Sequence, residues 1–328
     1  MKVLHIIGAD LSKKSIDLAL HDSTAHLQIE NSASGFKQLL LWLKQQKIST
    51  SQIMFVMEHT GLYSWWFEEF LYLHEIRFTK VSALAIKRSL GLVRGKTDKL
   101  DAVRIARYGF EKKDRLIVSI KTAESLKRLQ MLHSTRESFV KDRASLICSL
   151  KEYQAVVNKT DIIIGTRLQL IKTYSQEIKK IEAEISKLIE THESIKQNFE
   201  LLQTIKGVGR VVGIATIIKT KNFTAFADAK KFACYCGTAP FAHSSGTSIR
   251  KKTRISHLAD KGMKTLLDQS AKSAIQHDKE IKEYYLRRIA IGKSKKSTIN
   301  IVRNKIISRM FAVIKRQTPF VQDYLHVA

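Results

Sequence analysis

Apolar and polar positions in the first 110 residues follow two different periods. Short apolar runs predict strands, the second paired antiparallel with the first, at residues 3–8, 15–21, 53–57 and 77–81. Apolar residues three and four positions apart predict helices over residues 36–47, 65–74 and 98–110. Strands mixed with helices in this order are typical of a layered α/β domain.

The pattern changes between about residue 122 and residue 195, where proline is absent and the apolar period becomes helical. Apolar residues from Ile171 to Leu188 step by three and four, as the seam of a coiled coil requires. Upstream, apolar residues from Leu132 to Tyr153 step by seven. Two long helices joined near residues 154–165 would form an antiparallel hairpin, an arm that joins two chains, or part of a helical bundle within one chain.

The rest of the chain is helical and basic, with a polar loop predicted near residues 237–256. We therefore predict an α/β domain over residues 1–120, a coiled-coil linker over residues 121–197 and a helical domain over residues 198–328. The expected fold class is α/β followed by all-α.

Charge adds the strongest compositional signal. The 328 residues contain 57 Lys and Arg against 30 Asp and Glu, a formal net charge of +27. Residues 241–328 hold 19 basic and 6 acidic residues, whereas residues 1–110 hold 15 and 10. An excess of this size favours a polyanionic partner, and nucleic acid is the first candidate. Basicity alone does not separate an enzyme from a passive binder.

Cysteine usage and hydropathy exclude several classes. The three cysteines, Cys148, Cys234 and Cys236, form no CxxC pair, which argues against a disulfide framework and against a structural zinc site. The apolar run at the N-terminus is too short for a signal peptide. A stretch of about 18 apolar residues is also missing, so we expect no membrane partner and a cytoplasmic location.

Four carboxylates stand at informative places. Asp10 and Glu58 each follow a predicted strand, and Asp98 and Asp101 are three positions apart on a predicted helix, on one face of it. A pocket of carboxylate oxygens suits Mg²⁺, and two such ions can clamp the attacking and leaving oxygens of a phosphoryl transfer. The alternative is that these acids are turn residues and that Asp98 only caps its helix.

A glycine-containing segment near residue 207 looks like a helix–hairpin–helix. Gly207 and Gly209 permit a tight turn whose backbone N–H groups can meet a DNA phosphate, and Lys206 and Arg210 flank the turn with positive charge. Such contacts would position DNA without reading its sequence. A plain turn between helices is the alternative.

A serine precedes a glycine in the polar loop. Ser245 is followed by Gly246 and then by four cations that can neutralise phosphate, namely Arg250, Lys251, Lys252 and Arg254. A serine must be activated before it becomes a nucleophile, here by the cationic field, by metal-bound water or by His243. The alternative is a solvated loop beside a phosphate-binding patch.

Taken together, these residues resemble the DEDD signature of a bacterial insertion-sequence transposase family, the "IS-one-ten" group. The group includes Piv-type DNA invertases and bridge-RNA-guided recombinases. The resemblance rests on motifs along nearly the whole chain: Asp10, Met57–Tyr63 with Glu58, Gly95–Ala102 with Asp98 and Asp101, Gly237–Pro240, Ser244–Gly246, and Ile255–Gly262.

The resemblance implies an RNase H-like (RuvC-like) N-terminal domain, a coiled-coil linker and a helical transposase domain with a catalytic serine. It implies recombination of double-stranded DNA that depends on Mg²⁺, with Mn²⁺ as the alternative ion, and that passes through a covalent phosphoserine. In many members a noncoding RNA guides the reaction. The serine before the glycine corresponds to Ser245, with Ser244 as the alternative.

Recombination joins two DNA segments, so we expect a homo-oligomer, a dimer or a tetramer, acting on the bacterial nucleoid. Two rival functions remain at this point. A RuvC-like structure-selective endonuclease would use the same four acids with water as the nucleophile. A non-catalytic nucleic-acid scaffold would use the basic surface alone.

Overall fold

A computed structural model describes residues 5–91, 94–95, 97–245 and 249–321, with backbone only for residues 242–245 and 249–252. The chain forms two compact units, Met1–Lys121 and Thr122–Ala328. The first unit contains β1 (His5–Leu11), β2 (Ser15–Leu20), β3 (His26–Glu30), α1 (Ala33–Gln45), β4 (Ile53–Glu58), α2 (Trp65–Leu73), β5 (Arg77–Val81), α3 (Ala83–Ser89) and α4 (Asp98–Glu111).

The five strands of the first unit form one mixed sheet in the order β3-β2-β1-β4-β5. β1, β2 and β3 are antiparallel neighbours, whereas β4 and β5 run parallel to β1. This mixed α/β arrangement is consistent with the RNase H-like expectation. Because β1 and β4 are parallel, their carboxyl ends lie at the same end of the sheet.

Helices cover both faces of this sheet. On one face α1 and α2 bury a large cluster that includes Phe36, Leu39 and Phe67. On the other face a smaller cluster joins Ile6 and Val56 to α3 and α4. Continuous apolar runs in β1 and β4 are what a strand buried on both faces requires.

α4 lies unusually close to the backbone of β1. A Cβ atom added to Gly8 would lie 2.1 Å from the carbonyl oxygen of Ala102 and 2.3 Å from the amide nitrogen of Ala106. Further along α4, a Cβ atom on Gly109 would lie 2.6 Å from Cγ2 of Val56. Glycine at these two contact points therefore allows the helix to pack directly against the strands.

The second unit is mostly helical. It contains α5 (Glu124–Gln154), α6 (Ile162–Thr191), α7 (Glu193–Gln203), α8 (Arg210–Thr220), α9 (Ala229–Tyr235), β6 (Pro240–Ser245), β7 (Ile249–Ile255), α10 (Lys261–His277), α11 (Lys279–Ala290) and α12 (Lys295–Arg316). One core joins α7 to α12 with the adjoining ends of α5 and α6, and its fully buried residues include Leu202, Ile217 and Ile306.

α5 and α6 form the antiparallel hairpin that was one of the predicted arrangements. The Phe139 and Tyr174 rings meet edge to face with centroids 5.4 Å apart. Nearer the base, Arg136 Nε donates to Glu182 Oε1 at 2.7 Å. Nearer the tip, Arg167 donates to Ser149 Oγ at 2.7 Å and its guanidinium stacks on Tyr153.

The structure contains four elements that the sequence did not predict. The predicted loop near residues 237–256 contains an antiparallel hairpin, β6 and β7, with an irregularity between Phe241 and His243. Its polar and basic residues lack the apolar alternation by which strands are recognised. The short elements β3 and α3 were also not predicted. Within the described part of the chain, no helix has the length and apolarity needed to cross a membrane.

Candidate active site

The site in the first unit is built around Asp10, the penultimate residue of β1. Ile6, Gly8 and Asp10 share the sheet face on which α4 packs, because strand side chains alternate between faces. Glu58 ends β4 one position beyond the Ala9–Met57 pair of the parallel ladder, and so it lies on the same face as Asp10. The sheet thereby brings two of the four predicted acids together.

α4 adds the other two acids. Its close contact with Gly8 places the first turn of the helix, with Asp98 and Asp101, next to the end of β1. Thr97 caps the helix, because its Oγ1 accepts the amide hydrogen of Leu100 at 3.2 Å. The alternative that Asp98 serves as the cap is therefore wrong, and its carboxylate is exposed in the first turn.

The electrostatics of Asp10 reflect this convergence. Burial and the negative charges of Asp101, Asp98, Glu58 and Asp17, from the largest cause to the smallest, together raise the pKa of Asp10 to about 6. Like charges raise a carboxyl pKa only when they lie close to it. The structure therefore places the other three predicted acids near the half-buried carboxyl group of Asp10.

Arg104 partly compensates this negative charge. It donates to Asp101 Oδ1 at 2.9 Å and to the backbone carbonyls of Arg94 at 3.1 Å and Gly95 at 2.9 Å. The guanidinium thus ties the segment before α4 to the helix. Because Arg104 lies one turn after Asp101 on α4, its bond to Asp101 also holds Asp101 Oδ1 close to the helix surface.

The donor set fits a hard divalent cation, since it consists of carboxylate oxygens alone and their mutual repulsion would be relieved by positive charge. Among the residues that the structure describes, however, no three His, Cys, Asp or Glu side chains stand in positions to hold a metal ion together. The four acids share an electrostatic environment, but their side chains are not arranged as ligands.

Two further polar residues beside the acids escaped the sequence prediction. Asp17 of β2 lies opposite Asp10, is buried, and contacts His26 Nε2 at 2.8 Å and Gln28 Nε2 at 3.0 Å. Asn31 donates to the carbonyls of Ser12 at 3.0 Å and Tyr63 at 2.9 Å, and so links the segments that follow β1 and β4. The only sign of either residue in the sequence was that Asp17 is an acid inside the apolar run of β2.

The predicted helix–hairpin–helix is a turn between α7 and α8, and its residues serve different purposes. Gly207 has a positive φ of 90°, and a Cβ there would lie 2.6 Å from the Ser270 carbonyl oxygen. Ser270 Oγ donates to the Gly207 carbonyl at 2.6 Å. Gly207 therefore packs the turn against α10. Gly209 directly precedes α8, and a Cβ added there would meet no described atom within 4 Å. Lys206 is exposed.

Arg210, predicted to contact DNA, is exposed and also bonds to α6. Its guanidinium donates to Ser186 Oγ at 2.5 Å and to the Glu182 carbonyl at 3.2 Å, and so joins α8 to α6. Of the basic residues predicted around the serine, Arg254 is exposed on β7. The side chains of Arg250, Lys251 and Lys252 lie outside the described residues.

Ser245 is the last residue of β6. In the ladder it pairs with Ile249, and Ser244 pairs with Arg250. The side chains of both serines, and Gly246, lie outside the described part of the structure. Ser245 belongs to the second unit and the four acids to the first.

The start of the hairpin is fastened to α12. Thr238, which is fully buried, donates its hydroxyl to Asn304 Oδ1 at 2.9 Å. The Thr238 carbonyl accepts from Asn300 Nδ2 at 2.8 Å and from Asn304 Nδ2 at 2.9 Å. Sequence reasoning missed both asparagines, because they sit 62 and 66 positions away on a helix whose pattern was merely basic.

The segment that follows the hairpin is fastened to α8 and α9. Asp260 accepts from Tyr235 Oη at 2.8 Å, pairs with Lys219 at 2.7 Å, and caps α10 through the Met263 amide. The hydrogen bonds from Lys219, Met263 and Tyr235 lower the pKa of Asp260, although burial opposes them most strongly. Both ends of the hairpin are therefore anchored by buried or half-buried polar groups.

Comparison with known proteins now defines the class. Residues 7–155 match a family model of the DEDD transposase domain, described as "Transposase", and residues 199–286 match the "Transposase IS116/IS110/IS902 family". A fold with converging acids and these matches define a DEDD-type DNA transposase. Such a domain implies a DNA substrate and dependence on a divalent metal ion.

Two relatives match nearly the whole chain, and a third matches about half of it. Pilin gene-inverting proteins of Moraxella bovis and Moraxella lacunata are each 28% identical over 331 residues, covering 96% of this chain and 97% of theirs. An uncharacterized 43.6 kDa protein of insertion element IS110 from Streptomyces coelicolor is 27% identical over 173 residues, 52% of this chain and 42% of that protein. This chain belongs to the IS110 ("IS-one-ten") family of transposases and recombinases, so it is an enzyme and not a passive scaffold.

Proposed function

We propose that the chain recombines DNA through a serine nucleophile that works together with a carboxylate-bound metal ion. Asp10, Glu58, Asp98 and Asp101 would hold Mg²⁺ or Mn²⁺ in a RuvC-like domain. When bound, the ion would neutralise charge and polarise a phosphate oxygen at the scissile bond. The observation that carries this proposal is the close packing of α4 on β1, which brings Asp98 and Asp101 towards the end of the sheet where Asp10 and Glu58 share one face.

The chain's own residues supply the covalent step. Ser245 Oγ attacks phosphorus, an Oγ–P bond forms, and the P–O bond to one deoxyribose breaks. The leaving deoxyribose oxygen takes the electron pair of the broken bond and a proton that replaces the one lost from the serine hydroxyl. The phosphoserine ester retains the energy of the phosphodiester, so rejoining needs no external energy source.

The surrounding positive charge would hold the DNA backbone during this step. Lys206 is an exposed cation, and Gly209 directly precedes α8, whose first backbone amides can bind phosphate. Arg254 adds an exposed cation on β7. Arg210 and Gly207 contribute indirectly, since their described contacts fix the turn itself. The assignment of Arg250, Lys251 and Lys252 as phosphate contacts rests on the sequence.

We further propose a homo-oligomer, because recombination joins two DNA segments, with the α5–α6 hairpin as the contact between subunits. Guidance by a noncoding RNA rests on the resemblance to bridge-RNA-guided recombinases. Both proposals are tested by the mass of the complex that the purified protein forms with DNA and with RNA transcribed from beside its gene.

A second candidate is a RuvC-like endonuclease that hydrolyses DNA with metal-activated water. It is favoured by the fact that all four acids belong to the first unit, whereas Ser245 belongs to the second. In that mechanism Ser245 would only contact phosphate.

One experiment separates the two. The protein is incubated with DNA from the flanks of its element and Mg²⁺, and protein–DNA adducts are resolved on a denaturing gel. Serine catalysis predicts an adduct that disappears in Ser245→Ala and persists in Ser244→Ala. Cleavage by Ser245→Ala without an adduct would support water as the nucleophile instead. An adduct lost only in Ser244→Ala would move the nucleophile to the neighbouring residue.

A further inference from the structure

The C-terminal helices contain a long stretch without acidic residues. From residue 284 to residue 322 the chain has ten Lys and Arg and neither Asp nor Glu. This segment covers most of α11, the α11–α12 turn and all of α12. It extends beyond residue 286, where the second family match ends.

The structure separates three of these cations, which form ion pairs, from five others around the α11–α12 turn. In the middle of α12 the cations are neutralised internally: Arg303 pairs with Asp268, Lys305 with Glu280 at 3.4 Å, and Arg309 with Asp278 at 2.6 Å. The cations around the α11–α12 turn have no such partner among the residues that the structure describes. We call these residues the tip cluster: Arg287, Arg288, Lys293, Lys295 and Lys296.

The tip cluster is accessible. Every residue from 291 to 297 is exposed, including the apolar side chain of Ile291. Arg287 is exposed and lies over the Tyr284 ring at 5.8 Å, while Arg288 is half-buried. Five positive charges within ten positions, without a nearby acid partner, create a strong local field.

The start of α12 concentrates this field. Lys295 and Lys296 occupy the first turn, where the helix dipole is already positive, so they oppose the helix instead of stabilising it. Ser294 precedes the helix without making a side-chain capping bond to any described residue. The first backbone amides of α12, which have no carbonyl partner within the helix, and the two lysines therefore both present positive charge.

We infer that the tip cluster binds the phosphate backbone of duplex DNA without reading its sequence. DNA is the favoured partner because the enzyme acts on DNA and because cations at a helix start suit phosphate oxygens. The cluster would hold DNA flanking the reacting bond.

The chain offers a matched control on the same helix. Lys315 and Arg316 are also exposed and adjacent, but they lie in the last turn of α12, where cations stabilise the helix. Lys295→Gln/Lys296→Gln and Lys315→Gln/Arg316→Gln remove the same charge. The tip variant should also fold at least as well as the control, so lost binding cannot be assigned to unfolding.

The experiment measures binding of each full-length variant to a short duplex of arbitrary sequence over a range of salt concentrations. We expect the tip variant to lose affinity on the order of tenfold and to lower the slope of log affinity against log salt by about 2, one for each phosphate contact. The control variant should change both quantities much less.

Equal losses in both variants would overturn the inference, since net charge alone would then explain them. Unchanged DNA binding by the tip variant would overturn it as well. The same titration with a short RNA hairpin adds a further outcome: loss of RNA binding with normal DNA binding would reject DNA as the partner and assign the tip cluster to RNA. Because nonspecific binding needs no catalysis, these results are independent of the Ser245 test.

Discussion

In the first unit, the candidate site lies where two strand ends and one helix pack backbone against backbone. In the second unit, Ser245 lies at the far end of a two-stranded hairpin, and polar residues fasten that hairpin at its base. The acids are thus placed by steric packing, whereas the serine is placed by hydrogen bonds. The two regions should therefore respond to different kinds of substitution.

The largest effect should come from filling the contact between β1 and α4. Gly8→Ala forces a methyl group to within 2.1 Å of the Ala102 carbonyl, so α4 must move away. We expect a loss of stability of several kcal/mol and loss of DNA cleavage. Urea denaturation checks the first result and a cleavage assay the second.

Gly165 of α6 provides the control for that substitution. A Cβ there meets no described atom within 4 Å, and the residue lies inside a helix. Gly165→Ala should therefore stabilise the protein by up to about 1 kcal/mol. If Gly8→Ala were as well tolerated, close packing would not be what places Asp98 and Asp101.

Removing one charge from the acid cluster should abolish activity without unfolding the protein. Among the neighbouring charges, Asp101 raises the pKa of Asp10 most. In Asp101→Asn the pKa of Asp10 should therefore fall below about 6. NMR titration in the absence of metal measures this change. Cleavage should drop on the order of hundredfold or more.

Metal binding gives an independent readout of the same variant. A ligand at a hundred times its Kd stabilises a protein by about 2.7 kcal/mol, so Mg²⁺ or Mn²⁺ should raise the melting temperature of the unmodified chain. Asp101→Asn should lose this increase. Asp22→Asn, at an exposed acid paired with His21, should keep it. An increase that survives in Asp101→Asn would remove Asp101 from the metal site.

The hairpin should respond to loss of hydrogen bonds at its base. Asn304→Ala removes one of the two hydrogen bonds made by the buried Thr238 hydroxyl and one of the two accepted by its carbonyl, at a cost of about 0.5–1.5 kcal/mol for each bond. Hydrogen exchange of the β6 and β7 amides should become faster. Asn158→Ala, at an exposed residue in the α5–α6 turn, should leave both measurements unchanged. Unaltered exchange in Asn304→Ala would show that the hairpin does not depend on α12.

The smallest effect concerns His133 of α5. Burial lowers the pKa of His133, and Arg136 and Lys219 lower it too, although Glu137 opposes them. The unfolded chain therefore binds a proton that the folded chain does not, and stability falls as pH drops below about 6.5, by at most about 1.4 kcal/mol per pH unit. His133→Gln should reduce this loss in denaturation measured at pH 7 and pH 5.5. An identical pH dependence in both proteins would contradict the assignment.

Much of the first unit could be predicted because its signals are local. β2, β4, β5 and α4 lie within one residue of their predicted bounds, since apolar period and strand length are read from neighbouring positions, whereas β1 ends three residues later than predicted. The sequence also placed Asp10 at a strand end and Asp98 and Asp101 on one helix face, although the packing of α4 on Gly8 decided that they would meet. β3 was missed because it is short and mostly half-exposed, and β6 and β7 because basic residues interrupt their alternation.

The amino-acid sequence alone determined the order of strands and helices, the four acids, the serine before its glycine and the family to which they point, since each depends on residue type and spacing within a short stretch of chain. Only the tertiary structure decided that α4 packs directly on Gly8, that Asp17 lies opposite Asp10 and that Asn31 links the segments after β1 and β4. It also decided that Arg210 bonds to α6 and that α12 anchors the hairpin. The cations in the first turn of α12 have no acidic partner among the described residues. Those facts depend on contacts between residues tens of positions apart, and local patterns carry no information about which distant groups will meet.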